Sequence, residues 1–375
     1  MNESRYEISL IGGGHSHVAV LADWARRGCP SKRALVLTPH PHLRYSGMVP
    51  GWITKEHDRS AGLVDLVGLA KAAGAQLVLD YCVALDPVTR TILTRENGVL
   101  SFDHASIDVG GVGRAASILG DDPRLLDVRP IDRFVTQLDK RARGASRFAV
   151  VGGGAGGVEL AFALRNHRMQ AAGKIVETAK APVTFITGEA GLLPGFSQAV
   201  RAKVIAELER QGIVQIGVDA WVERGVLMAG EQEIAADLII AALGSGAPDW
   251  PRSSGLEVDK AGFIAVDAQQ RSISHPHIFA VGDCAQRMDR RVDHAGVHAV
   301  HAGPVLAANI RAVLSGDEPS QSYHPRSASL YLLSTGDGKA IGSYGPLAVQ
   351  GRWVAKLKAW IDKRWIATYA LLGER

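Results

Sequence analysis

Cysteine is scarce in this chain of 375 residues: Cys29, Cys82 and Cys284 stand far apart and form neither a CxxC nor a CxxxxC pair. That spacing excludes the redox disulfide on which a disulfide reductase depends. No apolar run approaches the length of a membrane span, and only a few apolar residues precede the first glycine turn. Neither a spanning helix nor a signal peptide is expected, and a cytoplasmic location follows as the expectation. Basic runs interleaved with aromatics are missing outside the carboxyl end, which sets nucleic acid aside despite a net charge of +4. The surplus is local: between Arg352 and Tyr369 five basic residues face Asp362 alone, an excess equal to the charge of the whole chain. With 46% hydrophobic residues the chain can bury a large core in roughly two or three domains.

What is present is one pattern written twice. Residues 8–14 (ISLIGGG) and 148–157 (FAVVGGGAGG) each run a short apolar strand into a glycine turn, and IFAVGD follows at 278–283. In each turn Gly12 or Gly152 permits the reversal, and Gly14 or Gly154 lets backbone approach a pyrophosphate held by amides at the next helix start. Gly157 completes GxGxxG in the second copy and allows close helix packing, whereas His17 stands in that place in the first. Two such turns describe a chain that binds two dinucleotides, and the usual reason to hold two is to pass electrons between them.

Periodicity and breakers predict a helix over 19–27 and strands at 34–38, 77–85, 91–94 and 105–109, with an irregular stretch over 39–51. The second unit reads as a helix at 158–165, a strand at 183–187, a helix at 199–211 and a strand closing at 238–244. The last residues form a smaller unit, with strands at 329–333 and 340–344 and then a basic helix. The predicted fold class is α/β: two Rossmann-like dinucleotide-binding domains, one inserted in the other, plus a small C-terminal α+β unit.

GGGHSHV at 12–18, YSGMVPG at 45–51, AGVHAVHAGP at 295–304, and LLSTGDGKAIGSYG with IDKRW near the end carry a resemblance. The chain resembles the FAD-dependent oxidoreductases of the type II NADH dehydrogenase superfamily, and more narrowly the oxidoreductase module linked to selenide, water dikinase. The resemblance covers essentially the whole chain and implies a glutathione-reductase-like fold. It implies an FAD-binding domain at 1–112 and 245–320, an NAD(P)H-binding domain at 113–244, and a C-terminal unit at 321–375. Carried over, it places FAD at Gly12, Gly14, His15, Thr38, Tyr45, Ser46, Met48, Gly110, Gly282, Asp283, Gly296 and Val297. NAD(P)H falls at Gly152, Gly154, Gly157, Thr187 and Gly244.

Several of these positions carry a second reading. Asp283 either accepts from the ribityl hydroxyls or caps the helix that follows, and Tyr45, Ser46 and Met48 either line the isoalloxazine or form an ordinary loop. Gly296 and Val297 would offer helix-start amides to the flavin pyrimidine edge. Glu159 is a candidate in proton handling, or a first-turn glutamate favoured by the helix dipole. The acidic residue that usually ends the second strand is absent in both copies, Thr38 and Thr187 standing there, so the choice between NADH and NADPH stays open.

His294, His298 and His301 have spacings that on one helix share a face, the geometry of a metal site, but no cysteine or carboxylate cluster completes a shell. No metal is therefore assigned, and His298 and His301 are read as proton donors near the acceptor. Trp353, Val354, Leu357, Trp360, Ile361, Trp365 and Tyr369 recur at helical spacing between lysines. That stripe either reaches a membrane surface from 352–369, at the inner face, or packs on its own domain or a second subunit of a homodimer. The resemblance implies hydride passing from NAD(P)H to FAD and on to an acceptor, a quinone first. A small electron-carrier protein, or a flavin-bound sensor or selenium-pathway accessory role, is the alternative.

Overall fold

A computed structural model describes residues 5–171, 174–177, 182–325 and 328–373. Two parallel sheets dominate it. In the first, strands Gln76–Leu79, Ala34–Thr38, Arg5–Ile11 and Val99–Ile107 lie side by side in that order, all parallel. The return strand Ile278–Ala280 adds to the far side of Val99–Ile107 through Ala105 to Ile107. In the second sheet the order is Val214–Ile216, Val183–Ile186, Phe148–Val151, Leu238–Ala241, Leu125–Asp127, again all parallel. Ala34–Thr38, Phe148–Val151 and Leu238–Ala241 are buried at every position, as parallel strands covered on both faces require.

Each glycine turn therefore leaves a central strand of its sheet. Helices His15–Arg27 and Ala155–Arg165 follow directly, the helical spans beginning a few residues before the predicted 19 and 158. The chain leaves the first sheet and returns to it at one place, where Val112 and Gly246 exchange backbone hydrogen bonds of 2.9 Å in both directions.

Two expectations change. The strand expected over 77–85 is two strands, Gln76–Leu79 and Cys82–Asp86, the second paired antiparallel with Thr91–Thr94. Asp80 breaks it: its carboxylate accepts from the amides of Tyr81, Glu96 and Asn97 and from the Asn97 side chain, which holds a loop instead of a ladder. The stretch read as irregular over 39–51 contains a short strand, His42–Arg44, a single turn at Ser46–Met48 and the helix Val49–Ile53.

At the C-terminal end, strands Leu330–Ser334, Ala340–Tyr344 and Leu347–Gly351 form an antiparallel sheet, the last of them not foreseen. Leu333 and Ile341 join the core of the second unit, beside Phe162 and Val204. The helix Arg352–Gly373 then crosses to the first unit, where Tyr369 and Leu372 pack with Val18, Val20 and Trp24. This one helix touches both dinucleotide-fold units, and it places polar side chains where they meet.

Candidate functional site

At the first turn Gly12 has φ +100°, and a Cβ on it would strike the carbonyl of Asp108. A Cβ on Gly14 would strike the Asp108 carboxylate itself. That carboxylate accepts from the amides of Ser16 at 2.9 Å and His17 at 3.1 Å, and burial pushes it up to about 7 against the pull of those two donors. The Gly13 and Gly14 amides carry no partner among the described residues. In the place of the third glycine His17 is bonded on both sides: its Nδ1 lies 2.7 Å from the Gly12 carbonyl and its Nε2 2.8 Å from Ser106 Oγ. Burial holds its imidazole down at about 4, so it stays neutral and can bond an acceptor and a hydroxyl together. Thr38 is buried with its hydroxyl against Gly13, and Gly110 has φ +70° at the end of the neighbouring strand.

The other end of this cleft is built from three parts of the chain. Asp283 lies in a single turn, Gly282–Cys284, and caps no α-helix; its Oδ2 pairs with Arg129 Nη2 at 2.7 Å and accepts from Ser245 Oγ at 2.9 Å. Gly282 has φ +71°, and a Cβ there would sit 2.7 Å from Asp108 Oδ1. Gly296 opens the helix Gly296–Leu314 and faces Ser46 Oγ, 3.8 Å from its Cβ position; Val297 follows in that helix's first turn. Tyr45 stacks on Trp365 of the C-terminal helix, ring centroids 4.5 Å apart, and His15 flanks both rings at 5.8 and 5.3 Å. Met48 is buried in the core beside Trp52.

His15 Nε2 and Trp365 Nε1 are buried with no partner among the described residues. Two orphaned polar atoms beside a glycine turn that admits no Cβ fit a flavin dinucleotide laid along Gly12 to His15.

At the second turn a Cβ on Gly157 would collide with the Gly152 carbonyl, which is why the third glycine is kept there. Gly154, Gly156 and Gly244 face open space, room for a second dinucleotide. Thr187 is buried, and both its amide and its hydroxyl bond Ile216. Glu159 is not in the first turn of its helix, so the dipole reading fails. Its Oε1 accepts from the Ser334 amide at 2.9 Å and lies 3.9 Å from Lys358 Nζ. Lys358 also pairs with Asp362 at 3.3 Å, and Asp362 accepts from the Tyr45 hydroxyl. Burial raises Glu159 above the usual carboxylate range although Lys358 opposes it. Burial works against the charge on Lys358, yet Glu159 and Asp362 together hold it above its ordinary value.

The three histidines do not share a helix face: His294 precedes the helix and stacks on Phe263 at 3.9 Å. His298 bonds Tyr323 through Nδ1 at 2.8 Å, and His301 is exposed one turn on. Cys82 and Cys284 are pushed up to about 12 by burial, so neither thiol is poised to react.

Sequence reasoning missed Asp108, Arg129, Ser245, Lys358 and Asp362 as site residues, and it read Trp365 only as part of the helical stripe. Asp108 was signalled by a lone charge just after a buried strand; Lys358 and Asp362 by their i, i+4 spacing on a helix read only for its aromatics. Arg129 and Ser245 carry no local signal.

Two parallel sheets, each ending its first strand in a glycine turn, with one helix closing over both, define a two-dinucleotide oxidoreductase. The chain belongs to the pyridine nucleotide-disulphide oxidoreductase family, whose pattern matches residues 6–303. It is an FAD- and NAD(P)H-dependent enzyme, here without the disulfide. It is 24% identical to the NADH dehydrogenase-like protein YutJ of Bacillus subtilis over 74% of this chain and 76% of that protein. It is 29% identical to the type II NADH:quinone oxidoreductase of Haemophilus influenzae over 55% of this chain and 49% of that one. The crystal structure of sulfide:quinone oxidoreductase from Aquifex aeolicus shares the fold, with TM-score 0.76, 15% identity, and cover of 98% of this chain and 92% of that one.

Proposed function

We propose that this flavoenzyme hands the electrons of NAD(P)H to a quinone. The observation that carries the reading is the C-terminal helix. Its inner side puts Trp365 on Tyr45 beside the first glycine turn, and its outer side exposes Trp353 and Trp360 among Lys356, Lys363 and Arg364. An apolar, planar acceptor meets an aromatic wall inside and an interfacial surface outside on the same helix. Relatives named type II NADH:quinone oxidoreductase support it.

In this reading residues 1–112 and 245–320 hold FAD through Gly12, Gly14, His15 and Asp283, and 113–244 hold the nicotinamide dinucleotide through Gly152, Gly154 and Gly157. Bound FAD supplies hydride acceptance and electron release. Arg129 neutralises Asp283 and fixes its carboxylate, while Gly296 and Val297 present amides to developing negative charge. Tyr45 is oriented by Asp362, and Glu159, raised by burial, is the carboxyl group placed to exchange a proton on the nicotinamide side. The narrower resemblance to the module linked to selenide, water dikinase rests on the sequence motifs and shares this chemistry.

Anaerobic stopped-flow mixing with NADH or NADPH, then with a short-chain quinone, tests the reading. Fast bleaching followed by quinone-driven recovery supports it; a flavin that neither nucleotide reduces sinks it. Among the described residues no helix is long and apolar enough to cross a membrane. Membrane contact therefore rests on the outer side of the C-terminal helix, and co-sedimentation with anionic vesicles, lost in W353S/W360S, checks it.

A further inference from the structure

Against the Gly282–Cys284 turn lies a cavity of ≈ 40 Å³ that shares Gly282 and Asp283 with the proposed flavin site and runs on to Gln270 and Tyr323. Its polar lining includes Gln270, Asp283, His294, His298 and Tyr323. Gln270 is 3% exposed, is held at φ +70°, and gives its Nε2 to the Ala302 carbonyl. Its Oε1 has no partner among the described residues. A buried amide oxygen left bare is costly, and a donor within the cavity would relieve that cost. His294 Nε2 lies 3.2 Å from the Ala285 carbonyl and bonds it by donating. His298 Nδ1 and the Tyr323 hydroxyl are already joined at 2.8 Å, a pair that can pass a proton by exchanging donor and acceptor.

We propose that this cavity holds a short chain of waters that carries protons between solvent and the Asp283 turn, with His298 and Tyr323 as its relay. The volume suits about three waters at roughly 10–15 Å³ each, and water is the small occupant that donates to Gln270 while accepting from whichever of the imidazole and the phenol holds the outward proton. Arg287 is closed to this role, its guanidinium spent on Asp289 and on the Tyr323 carbonyl. Asp283 links the two sides, lining the cavity while bonded to Arg129 and Ser245.

The role rests on the quinone reading. NADH yields a hydride, two electrons with one proton, whereas reduction of a quinone to quinol takes two electrons and two protons. The remaining proton comes from solvent, and the water chain delivers it.

The experiment separates the two half-reactions in the holoenzyme, using Tyr323→Phe, which removes the relay hydroxyl, and Ala302→Leu, which fills the cavity. Both variants are expected to be bleached by NADH at the wild-type rate and reoxidised by quinone about tenfold or more slowly. Reoxidation at the wild-type rate in both variants overturns the inference while leaving the quinone reading intact. A crystal structure of the wild-type holoenzyme gives an answer independent of turnover: ordered water on Gln270 Oε1 is expected, and a dry cavity overturns the proposal even if neither variant folds.

Discussion

The Nδ1 of His17 lies 2.7 Å from the carbonyl oxygen of Gly12, and in the second turn the matching carbonyl, Gly152, leaves no room for any Cβ on Gly157. One offset thus has two solutions: glycine lets the helix close onto the strand, and histidine bonds the strand-end carbonyl from the side. Replacing His17 with glycine restores the usual motif yet removes two buried hydrogen bonds and leaves a void. His17→Gly is expected to lose about 2–4 kcal/mol in urea unfolding, and an unchanged midpoint would show that the imidazole contributes nothing.

The same turn sets the acid response of the apoprotein. Burial holds His15 and His17 at about 4, below their usual 6.5, and Asp108 at about 7, above its usual 3.8. Between about pH 4 and 6.5 the unfolded chain binds an extra proton at each histidine and the folded chain one at Asp108. At these three groups the balance is one proton more on the unfolded chain, and His104, His167, His277 and His298, which burial also holds below their usual value, add to it, so stability rises with pH across this window. Asp108→Asn removes the opposing group. Urea midpoints measured from pH 4.5 to 6.5 are expected to climb more steeply in this variant than in wild type; equal slopes would refute the assignment.

Lys358 is the cation between Glu159 and Asp362. Lys358→Met leaves two buried carboxylates with no cation between them and is expected to cost about 3–5 kcal/mol. Adding Glu159→Gln to that variant should recover part of the loss. A double-mutant cycle with no coupling between the two positions would mean that the 3.9 Å separation carries no energy.

The nicotinamide preference, open in the sequence, acquires a direction in the structure. Just past the strand Val183–Ile186, Gly188 turns at φ +72° and the Glu189 amide bonds Asp219 Oδ1 at 3.0 Å. In the proposed nucleotide site these two carboxylates would face the adenosine ribose, and they would disfavour a 2′-phosphate. NADH is expected to bleach the flavin at least about tenfold more efficiently than NADPH, with E189R/D219N narrowing the gap. Equal efficiencies in the wild-type protein would remove Glu189 and Asp219 from this role.

The sequence by itself determined the two glycine turns, the parallel strands beside them and the amphipathic end of the chain. Each is a local pattern: a run of apolar residues buried on both faces, a glycine that must adopt positive φ, a helical repeat. Ala34–Thr38 falls on its predicted limits for the first of these reasons and Thr91–Thr94, an alternating antiparallel strand, falls on its own, whereas 77–85 is two strands because Asp80 is held by Glu96 and Asn97 from a different loop.

Only the tertiary structure decided what surrounds the turns. Asp108 reaches the helix start at Ser16 from 92 positions away, Ser334 reaches Glu159 across 175, and Trp365 covers Tyr45 from the far end of the chain. A single carboxylate carries no period and no turn signal, and a helical stripe does not say which side chain Trp365 or Lys358 will meet. The role of each is set by the groups that packing brings within hydrogen-bond reach, and that depends on how whole sheets and helices bury their apolar faces against one another.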